Sequence, residues 1–588
     1  MNLNRTKYCG EISSRDIGKR MTVCGWVQKQ RDLGKLIFVD LRDRTGIIQL
    51  VFYDKLDSKI FKDAFSLRGE FVIAVSGVVR ERSSKNHDIP TGDVEIEVDF
   101  LKIYSKANTT PFEISDNLNV SEELCLKYRY LDIRRGKLLK NIVLRHKIAK
   151  ITRDYFDKNN FIEIETPFLV RSTPEGARDY VVPSRVFPGN FFALPQSPQL
   201  YKQLIMIAGL DRYMQIVKCF RDEDLRSDRQ PEFTQIDIEM SFVDSNDIMN
   251  IVENFIIELY GKVLLKDVNR PFLRLTYDEC MKRFGSDKPD LRFEMELIYF
   301  KDFLKDTNFK VFKNAIENGG TVCGINAKGA SDKFSRKEID KLSEWIKAYG
   351  ARSIFFTKSK KNAAPTSSFE KFLTNEEIDN IRKLSFFENG DILFLIADEN
   401  ELTCMESVGA LRLEIAKKLS LIDLKEQNFL WVTDFPLFEY NKEQSRFIAK
   451  HHPFTSPKDE DLKFWESNPE KVHAKAFDLV LNGCEIGGGS IRISDVNLQK
   501  KMFNFLSFSK EESYKRFGFL LDALCFGAPP HGGFAFGFDR LVMLILGCES
   551  IREVIAFPKA STSAELMSDS PNKLDKEQLR DLSIKFDD

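Results

Sequence analysis

The sequence predicts an α+β multidomain protein with a small N-terminal β-barrel, a larger antiparallel-sheet domain and an α+β segment inserted into that domain. Three observations predict this class. The first hundred residues are short β-rich runs separated by turns, two alternating strands flank a charged loop near residue 225, and lysine-rich helical sequence interrupts β-rich sequence after residue 286. A length of 588 residues suits several domains, and 43% hydrophobic residues suffice for folded cores.

Composition excludes several classes of protein. The 88 basic and 89 acidic residues nearly cancel, which excludes a globally basic nucleic-acid coat and leaves a local basic patch open. No apolar run is long enough for a transmembrane helix and the first residues contain no apolar signal segment, so we expect no membrane partner. Ten cysteines are scattered without a CxxC pair, which predicts a reducing, cytoplasmic setting.

Residues 1–107 are predicted to form the barrel. Turn signals lie at 32–34 and 44–46, and such short strands suit a five-stranded OB-fold. The β-rich runs are 21–27, 36–41, 47–52 and 70–79.

A helix followed by a strand opens the larger domain. Apolar residues recur at helical spacing over 141–158, residues 161–166 alternate as in a strand, and the strand ends at Pro167. Two further strands, 213–220 and 233–243, enclose a polar loop. In the second of them one face is apolar and the other is a row of polar side chains, Gln235, Asp237 and Glu239.

The predicted division of the chain follows from these changes in texture. It comprises a barrel, a hinge, two parts of the larger domain on either side of an insertion, and a polar C-terminal arm. The boundaries are 1–107, 108–140, 141–285, 286–425 for the insertion, 426–557 and 558–588.

The densest chemical signal is the stretch from Phe220 to Asp237, in which nine of eighteen residues are charged. Such a run alone is typical of a solvated hairpin loop. Here both flanks are apolar strands, so the polar groups stand on a rigid base, and an arginine at a strand end suits a phosphate oxygen.

A second signal is the glycine-rich stretch 532–540. Small residues along a strand let a flat ring lie against the backbone, and Arg540 then projects from the first turn of a helix. The alternative is a packing strand that ends in a surface arginine.

With the helix–strand–Pro167 unit, these stretches resemble the three signature motifs of class II aminoacyl-tRNA synthetases. Further motifs resemble the bacterial aspartyl-tRNA synthetases, including their anticodon-binding OB-fold, and the resemblance spans nearly the whole chain. The insertion has the place and size of the extra domain of the bacterial members. These further motifs lie at 8–10, 24–27, 31–43, 173–180, 196–202, 451–455 and 482–493.

The resemblance implies a two-step reaction. The carboxylate of L-aspartate attacks the α-phosphorus of ATP, and the 3′-terminal ribose hydroxyl of tRNA-Asp then takes the aspartyl group. Neither step needs a covalent protein nucleophile, so positioning and charge neutralisation should carry the rate.

The resemblance also implies residue roles at the nucleotide end. Arg221 and Arg540 are the expected catalytic residues. Arg221 would bridge the aspartate carboxylate and the α-phosphate, and Arg540 would hold the γ-phosphate. Asp478 and Glu485 are the expected ligands of Mg²⁺, a hard cation that prefers oxygen. As an alternative, Asp478 would be a helix-surface acid. The full expected ATP set is Arg221, Asp222, Glu223, Gln230, Glu485, Gly537, Phe538, Asp539 and Arg540.

At the amino-acid end, a pocket for aspartate needs cations where the substrate side chain ends. Arg492 offers a planar fork and Lys202 a point charge. We expect the substrate to supply the partner of Arg492, because a buried, unpaired arginine is costly. The remaining expected aspartate contacts, some on a closing loop at 172–179, are Glu175, Gln199, Arg221, Asp237, His451 and His452.

In the barrel, Arg31, Phe38 and Gln49 match the family's anticodon contacts, which an aromatic for stacking and polar groups for base edges would suit. Alternatively, Phe38 belongs to the barrel core. Leu33 resembles the residue of enzymes that charge only tRNA-Asp, whereas members that also charge tRNA-Asn often carry histidine there. The family further implies a homodimer through the helix–strand–Pro167 unit.

Three alternatives stay open. A non-discriminating enzyme would also charge tRNA-Asn. A sister synthetase would take asparagine, which should not need two cations, or lysine, which should need acids. A catalytically silent relative would only bind tRNA or a partner, although Arg221, Glu223, Glu485, Arg492 and Arg540 are all present.

Overall fold

The computed structural model describes residues 4–55, 57–117, 119–173, 176–359, 365–442 and 444–585. They divide into two compact units, residues 1–146 with 552–573, and residues 147–551 with 574–588. Within the described ranges no helix combines the length and the apolar character needed to cross a bilayer.

The first unit contains a closed five-stranded barrel in the order β1-β2-β3-β5-β4. Its core is apolar and includes Ile37, Val39 and Leu41, which alternate with outward-facing residues along β2. The elements are β1 Arg20–Asp32, β2 Leu36–Asp43, β3 Gly46–Tyr53, α1 Ser58–Ser66, β4 Val72–Glu81, β5 Val94–Ser105, α2 Glu122–Lys127, α3 Arg129–Asp132 and the start of α4 Gly136–Lys158.

The second unit begins within α4 and builds the first half of a large sheet. Buried residues of α6, among them Phe255, pack against Tyr155 and Phe536. The elements are β6 Ile162–Glu163, β7 Val181–Pro183, β8 Phe191–Ala193, α5 Gln199–Ile207, β9 Arg212–Phe220, β10 Glu232–Ser241, α6 Ser245–Leu264, β11 Leu273–Thr276 and α7 Tyr277–Phe284.

An α+β segment follows, which we call the insertion (298–418). Its five-stranded sheet has the order β12-β13-β16-β14-β15, and helices cover it. Its elements are β12 Ile298–Tyr299, α8 Lys301–Leu304, α9 Lys310–Glu317, β13 Thr321–Ala327, α10 Arg336–Trp345, β14 Phe355–Lys358, β15 Thr366–Ser367, α11 Asn375–Leu384, β16 Ile392–Asp398 and α12 Glu401–Lys418.

The chain then returns to the large sheet and completes it. The eight strands have the order β11-β17-β20-β21-β22-β10-β9-β6, antiparallel except at the two ends, where β11 pairs with β17 and β6 with β9 in parallel. The elements are β17 Phe429–Thr433, β18 Phe438–Asn441, β19 Arg446–Ala449, β20 Ala476–Leu481, β21 Cys484–Ile491, α13 Val496–Phe505, α14 Lys510–Leu524, β22 His531–Gly537, α15 Phe538–Leu546 and α16 Lys576–Asp581.

The structure differs from the sequence prediction in the strand before Pro167. The predicted strand at 161–166 is reduced to Ile162–Glu163, because β6 is an edge strand that pairs only with β9 before the chain leaves the sheet. The barrel has a fifth strand, β5, that the β-rich runs did not include. Asp478 lies on β20, so the alternative of a helix-surface acid is wrong.

Candidate active site

A cavity of about 540 Å³ opens beside the centre of the large sheet. It brings together most of the residues expected at the site. These are Gln199, Lys202, Arg221, Glu223, Gln230, Asp237, His451, His452, Asp478, Glu485, Arg492, Gly537, Asp539 and Arg540.

Three expected residues are not part of the described lining. Asp222 pairs with Arg178 at 3.5 Å instead, and the side chain of Phe538 is buried in the core. Neither residue lines the cavity. Glu175 lies outside the described residues.

One end of the cavity holds a buried cluster of four charges. The Lys202 ammonium lies 2.8 Å from Asp237 Oδ1 and 3.4 Å from Glu239 Oε2. Arg492 donates from Nε to Glu239 Oε1 at 2.9 Å and from Nη2 to Glu239 Oε2 at 3.2 Å. Two cations and two anions therefore balance, which is the condition for burying them together.

The expectation that the substrate supplies the partner of Arg492 is wrong, because Glu239 already does so. Glu239 on β10 and Ser490 on β21 both pair with Gly533 of the intervening strand β22, so Glu239 reaches across β22 to Arg492, which directly follows β21. A Cβ at Gly533 would lie 1.9 Å from Glu239 Oε2. The glycine thus leaves the space through which the ion pair forms.

Counting hydrogens shows what this cluster can still donate. Arg492 has five N–H groups, of which two meet Glu239, one meets Ser490 Oγ and one meets His452 Nε2. The Lys202 ammonium has three, of which one donates to Asp237 and a second faces Glu239 in the 3.4 Å ion pair. Within the described part of the chain, one N–H of each cation is left to bind a further acceptor.

His452 completes the surroundings of Arg492. Since arginine only donates, the 2.8 Å contact from Nη1 makes His452 Nε2 an acceptor. On the other side of the ring, Nδ1 lies 3.2 Å from the Phe454 backbone nitrogen and 3.3 Å from Thr455 Oγ1. Burial, reinforced by the Arg492 charge, lowers the pKa of His452 well below its usual range. The ring is therefore neutral at physiological pH.

Beside the cations, two acceptors face the cavity. Asp237 Oδ2 is buried and has no hydrogen-bond partner in the described structure, and burial raises the pKa of this carboxyl although Lys202 opposes the shift. Gln199 donates from Nε2 to Gln203 at 3.1 Å, which leaves its carbonyl oxygen as an acceptor. An ammonium group would satisfy both.

A buried histidine orients this amide. His531 donates from Nδ1 to the Pro529 carbonyl at 2.7 Å, so its Nε2 accepts from Gln203 Nε2 at 3.3 Å. Gln203 Oε1 in turn accepts from Gln199. The chain from His531 to Gln199 therefore requires a neutral imidazole.

Stability should fall on acidification because of this histidine. Burial lowers the pKa of His531 below its usual value of 6.5, so the unfolded chain binds the proton first and stability is lost as pH falls below 6.5. We expect a thermal melting temperature that drops more steeply between pH 7.5 and 5.5 for the wild type than for His531→Gln. Equal slopes in the two proteins would contradict this assignment.

Arg221 dominates the wall between the two ends. It directly follows β9, and its guanidinium lies 5.1 Å from the Phe233 ring, which gives the cation a flat shelf. Its Nε is buried and has no hydrogen-bond partner among the described residues. A partly exposed arginine with an unused donor suits an anion that enters the cavity.

Arg540 and the charged loop form the other end. Arg540, in the first turn of α15, pairs with Asp228 at 3.1 Å and donates to the Glu485 carbonyl at 3.4 Å. Glu223 pairs with Arg229 at 3.1 Å on the same loop. These contacts tie the loop to β21 and hold a cation toward the cavity.

Asp478 and Glu485 are the acids of this end. They lie on the neighbouring strands β20 and β21, and a Cβ at Gly488 would lie 2.5 Å from Asp478 Oδ1, so glycine again makes room for a carboxylate. Burial, with the Asp478 charge next, raises the pKa of Glu485. No group of three or more His, Cys, Asp or Glu suited to a metal occurs in the described ranges.

The loop predicted to close over the amino acid is attached to the cavity wall. Gln196 accepts from the Ala177 amide at 3.2 Å and donates to the Ala177 carbonyl at 2.8 Å and to Asp179 at 2.5 Å. Asp179 also accepts from Ser172 at 2.8 Å, which closes the loop at its base. The loop ends are fixed independently of any substrate.

In the barrel, the three expected anticodon residues form one cluster. Arg31 donates to Gln49 Oε1 at 3.0 Å and lies 5.8 Å from the Phe38 ring. Phe38 is half-exposed on the outer face of β2 and is absent from the barrel core, so the core alternative is wrong. Arg82 also donates to Gln49, at 2.9 Å.

Sequence reasoning missed several residues that line the cavity or lie directly behind its wall. Glu239 carried a signal, since it continues the polar face of Asp237, but its partner lies two strands away in the sheet order. Asp228 was visible only as one charge in a crowded loop. Ser490, Gln203 and His531 carried no signal, because their roles depend on contacts between distant segments.

A family model described as tRNA synthetases class II (D, K and N) matches residues 121–561, which is well over half of the chain. This chain belongs to that family. The identification covers the cavity and the whole large sheet of the synthetase. A second model, described as an OB-fold nucleic acid binding domain, matches residues 21–104, the span of the barrel.

Relatives of the synthetase span its full length. An aspartate–tRNA(Asp/Asn) ligase of Caldanaerobacter subterraneus is 53% identical, with 100% of this chain and 99% of the relative covered. An aspartate–tRNA ligase of Ruminiclostridium cellulolyticum is also 53% identical, over 99% of this chain and 98% of the relative. The bacterial-type family and the predicted fold class are thereby confirmed.

Among solved structures, an asparaginyl-tRNA synthetase from Pyrococcus horikoshii complexed with asparaginyl-adenylate is similar in fold. The TM-score is 0.59 at 21% identity, with 94% of this chain and 98% of that chain covered. At that identity the likeness concerns the fold alone.

Proposed function

We propose that this synthetase is an aspartate–tRNA ligase, which joins L-aspartate to ATP and transfers the aspartyl group to the 3′ end of tRNA-Asp. The single observation that carries the substrate assignment is the pair of buried cations, Lys202 and Arg492, each with one N–H left for an acceptor. The unused N–H groups of Lys202 and Arg492 are both donors. A carboxylate presents an acceptor oxygen to each of them, whereas an amide would place its NH₂ group, itself a donor, against one of them.

Aspartate fits the cavity as a whole. Its side-chain carboxylate takes the two remaining N–H groups, and its ammonium meets Asp237 Oδ2 and Gln199 Oε1. Its α-carboxylate is then directed toward Arg221, which lines the cavity and whose Nε has no hydrogen-bond partner in the described structure. The substrate adds one net negative charge to a balanced cluster, and the free N–H groups of two cations offset it.

ATP is a substrate of class II synthetases, and the far end of the cavity suits its phosphates. Arg221 stands between the two ends, where the carboxylate oxygen attacks the α-phosphorus and pyrophosphate leaves. Arg540 is positioned to neutralise charge on the departing phosphates. In the second step the ribose hydroxyl attacks the aspartyl carbonyl and AMP leaves. Fixed guanidinium groups need no reorganisation in either step.

The acids at this end suit Mg²⁺. Two carboxylates, Asp478 and Glu485, share the wall, and burial followed by the Asp478 charge raises the pKa of Glu485. Mg²⁺ prefers oxygen and is commonly held by one or two carboxylates plus substrate phosphates. When bound, the cation would neutralise phosphate charge, while this chain's own part is to hold the two carboxylates on adjacent strands.

We further propose a homodimer. Large apolar side chains are exposed around the predicted interface, with Ile162 at 49%, Phe168 at 46% and Leu169 at 52% exposed beside Pro167. The β7–β8 hairpin adds Phe187 at 63% and Phe191 at 53%. An apolar surface of this size is covered most simply by a second copy related by a twofold axis. Sedimentation of the purified chain tests this.

Aminoacylation of purified tRNA-Asp and tRNA-Asn tests the proposed function. We expect charging of tRNA-Asp with aspartate. Leu33, exposed at the β1–β2 tip, favours an enzyme that charges tRNA-Asp alone, whereas the names of the relatives include both kinds. No charging of either tRNA would contradict the proposal.

The barrel cluster should matter for tRNA alone. Phe38→Ala removes a stacking surface worth about 1–3 kcal/mol per base, so kcat/KM for tRNA-Asp should fall about 5- to 150-fold. Aspartate-dependent ATP–pyrophosphate exchange should stay within about twofold, because that step needs no tRNA. Tyr104→Ala, an exposed aromatic of the same barrel, is the matched control. Loss of exchange in Phe38→Ala would refute the separation of roles.

A further inference from the structure

The insertion is attached to the active-site domain by a close backbone contact. Residues 285–297, which we call the connector, lead from α7 into the insertion, and α12 returns against them. A Cβ at Gly409 of α12 would lie 2.4 Å from the Gly285 carbonyl oxygen. Gly285 itself has a φ of 62°, in the left-handed region. Glycines at both positions therefore let α12 approach the connector.

Arg412, one turn further along α12, holds the connector in place. Its side chain is 1% exposed and donates to three connector carbonyls, those of Met295 at 2.8 Å and of Asp290 and Phe293 at 3.0 Å each. The guanidinium also lies 4.0 Å from the Phe293 ring. Burial lowers the pKa of Arg412 to about 10, so the side chain remains charged at neutral pH.

The cost of burying this arginine indicates a specific task. Among the described residues no carboxylate lies within ion-pair distance of Arg412, so its charge is compensated by backbone carbonyls, a ring and, at longer range, the charges of Asp290 and Glu296. A leucine or methionine would fill the same space without desolvating a cation. What arginine adds is three directed hydrogen bonds that fix the path of one segment.

That segment forms part of the nucleotide end of the cavity. Asp287 of the connector lines the cavity. Asp290 is 2% exposed, accepts from Arg292, and packs on the turn between β20 and β21, where a Cβ at Gly483 would lie 3.0 Å from Asp290 Cβ. Gly483 lies two residues before Glu485. The contacts thus run without a break from α12 to the strand that carries Glu485.

We propose that Arg412 is a positioning residue through which the insertion fixes the ATP end of the active site. The proposal rests on the proposed function for its kinetic readout. It assigns the insertion a task in the reaction: its last helix keeps the connector, and with it the β20–β21 turn, in the geometry that the nucleotide requires. The aspartate end, built on α5, β10 and the end of β21, does not depend on this contact.

The test compares Arg412→Met with a matched variant of the neighbouring residue. Leu411 is fully buried in the core of the insertion, a cluster that also includes Leu297 of the connector. Leu411→Ala therefore loosens apolar packing while it keeps the three hydrogen bonds from Arg412 to the connector. In ATP–pyrophosphate exchange we expect Arg412→Met to lose about 10- to 100-fold in kcat/KM for ATP, with KM for aspartate changed less than about twofold. Leu411→Ala should leave both values near wild type, and Arg412→Lys should be intermediate.

Two further measurements test the proposal if Arg412→Met fails to fold or if the chain lacks the proposed activity. If Arg412→Met does not fold, Gly409→Ala, which pushes α12 away from the connector, must give the same loss for ATP. Hydrogen–deuterium exchange at 285–297 and 483–486 should accelerate in the Arg412 variant and not in Leu411→Ala, even if the wild-type chain lacks the proposed activity. An unchanged kcat/KM for ATP in both connector variants, or the same loss in Leu411→Ala, would overturn the proposal.

Discussion

Arg492→Leu is expected to lower aspartate-dependent ATP–pyrophosphate exchange by at least about 1,000-fold. The change removes the planar cation that meets the substrate side chain. It also leaves Glu239, fully buried, with only the longer 3.4 Å contact to Lys202. Burial would then favour protonation of this carboxyl, whose pKa Arg492 and Lys202 now hold below its ordinary value against the effect of burial.

A second substitution separates folding from recognition. Arg492→Leu alone breaks a buried ion pair, which costs about 3–5 kcal/mol when one partner is left uncompensated. The double variant Glu239→Gln with Arg492→Leu restores charge balance, so we expect its melting temperature to recover while exchange stays lost. Recovery of exchange in the double variant would show that Arg492 acts only through stability. Normal exchange in Arg492→Leu would end the substrate assignment.

Arg221→Leu is expected to lower exchange by about 100- to 1,000-fold, because it removes a fixed cation at the point where the two substrates react. Replacing Arg221 should cost the fold little stability, since its Nε has no hydrogen-bond partner in the described chain and its guanidinium lies on the Phe233 ring. The loss should therefore appear in kcat without a large change in melting temperature.

A variant in the same loop controls for charge alone. Arg226 is exposed and does not line the cavity, so Arg226→Leu removes an equal charge at a short distance along the chain and should leave exchange within about twofold. Arg221→Lys should be intermediate, because lysine keeps the charge and loses the planar fork. An equal loss in the Arg226 and Arg221 variants would indicate a general effect of loop charge.

Much of the fold followed from local patterns. Alternation along β10 identified its apolar face and its polar face, and the change of texture after residue 286 predicted an insertion. The prediction failed where the length of a strand depends on the neighbouring strands that pair with it. The strand before Pro167 stops at Glu163 because only one neighbour pairs with it, a fact that its alternating sequence does not contain.

The site shows the same division. Most of the expected residues line one cavity, since their motifs carry the chemistry of charge and phosphate. The partners of those residues could not be read from the motifs. Glu239 and Arg492 are 253 positions apart in the sequence, and Asp290 and Arg412 are 122 positions apart. Such contacts can be identified only when the arrangement of the strands and helices is known. Those partners determine how many N–H groups of Lys202 and Arg492 remain available to a substrate.

The most direct measurement is ATP–pyrophosphate exchange by the purified chain with aspartate, asparagine and lysine compared at equal concentration. The donors left on Lys202 and Arg492 match the two oxygens of a carboxylate, whereas an amide offers one oxygen and places its NH₂ against a donor, and an ammonium offers no acceptor. Exchange should therefore depend on aspartate, with the other two slower by at least about 1,000-fold. Exchange that asparagine supports as well as aspartate does would contradict this account of the pocket.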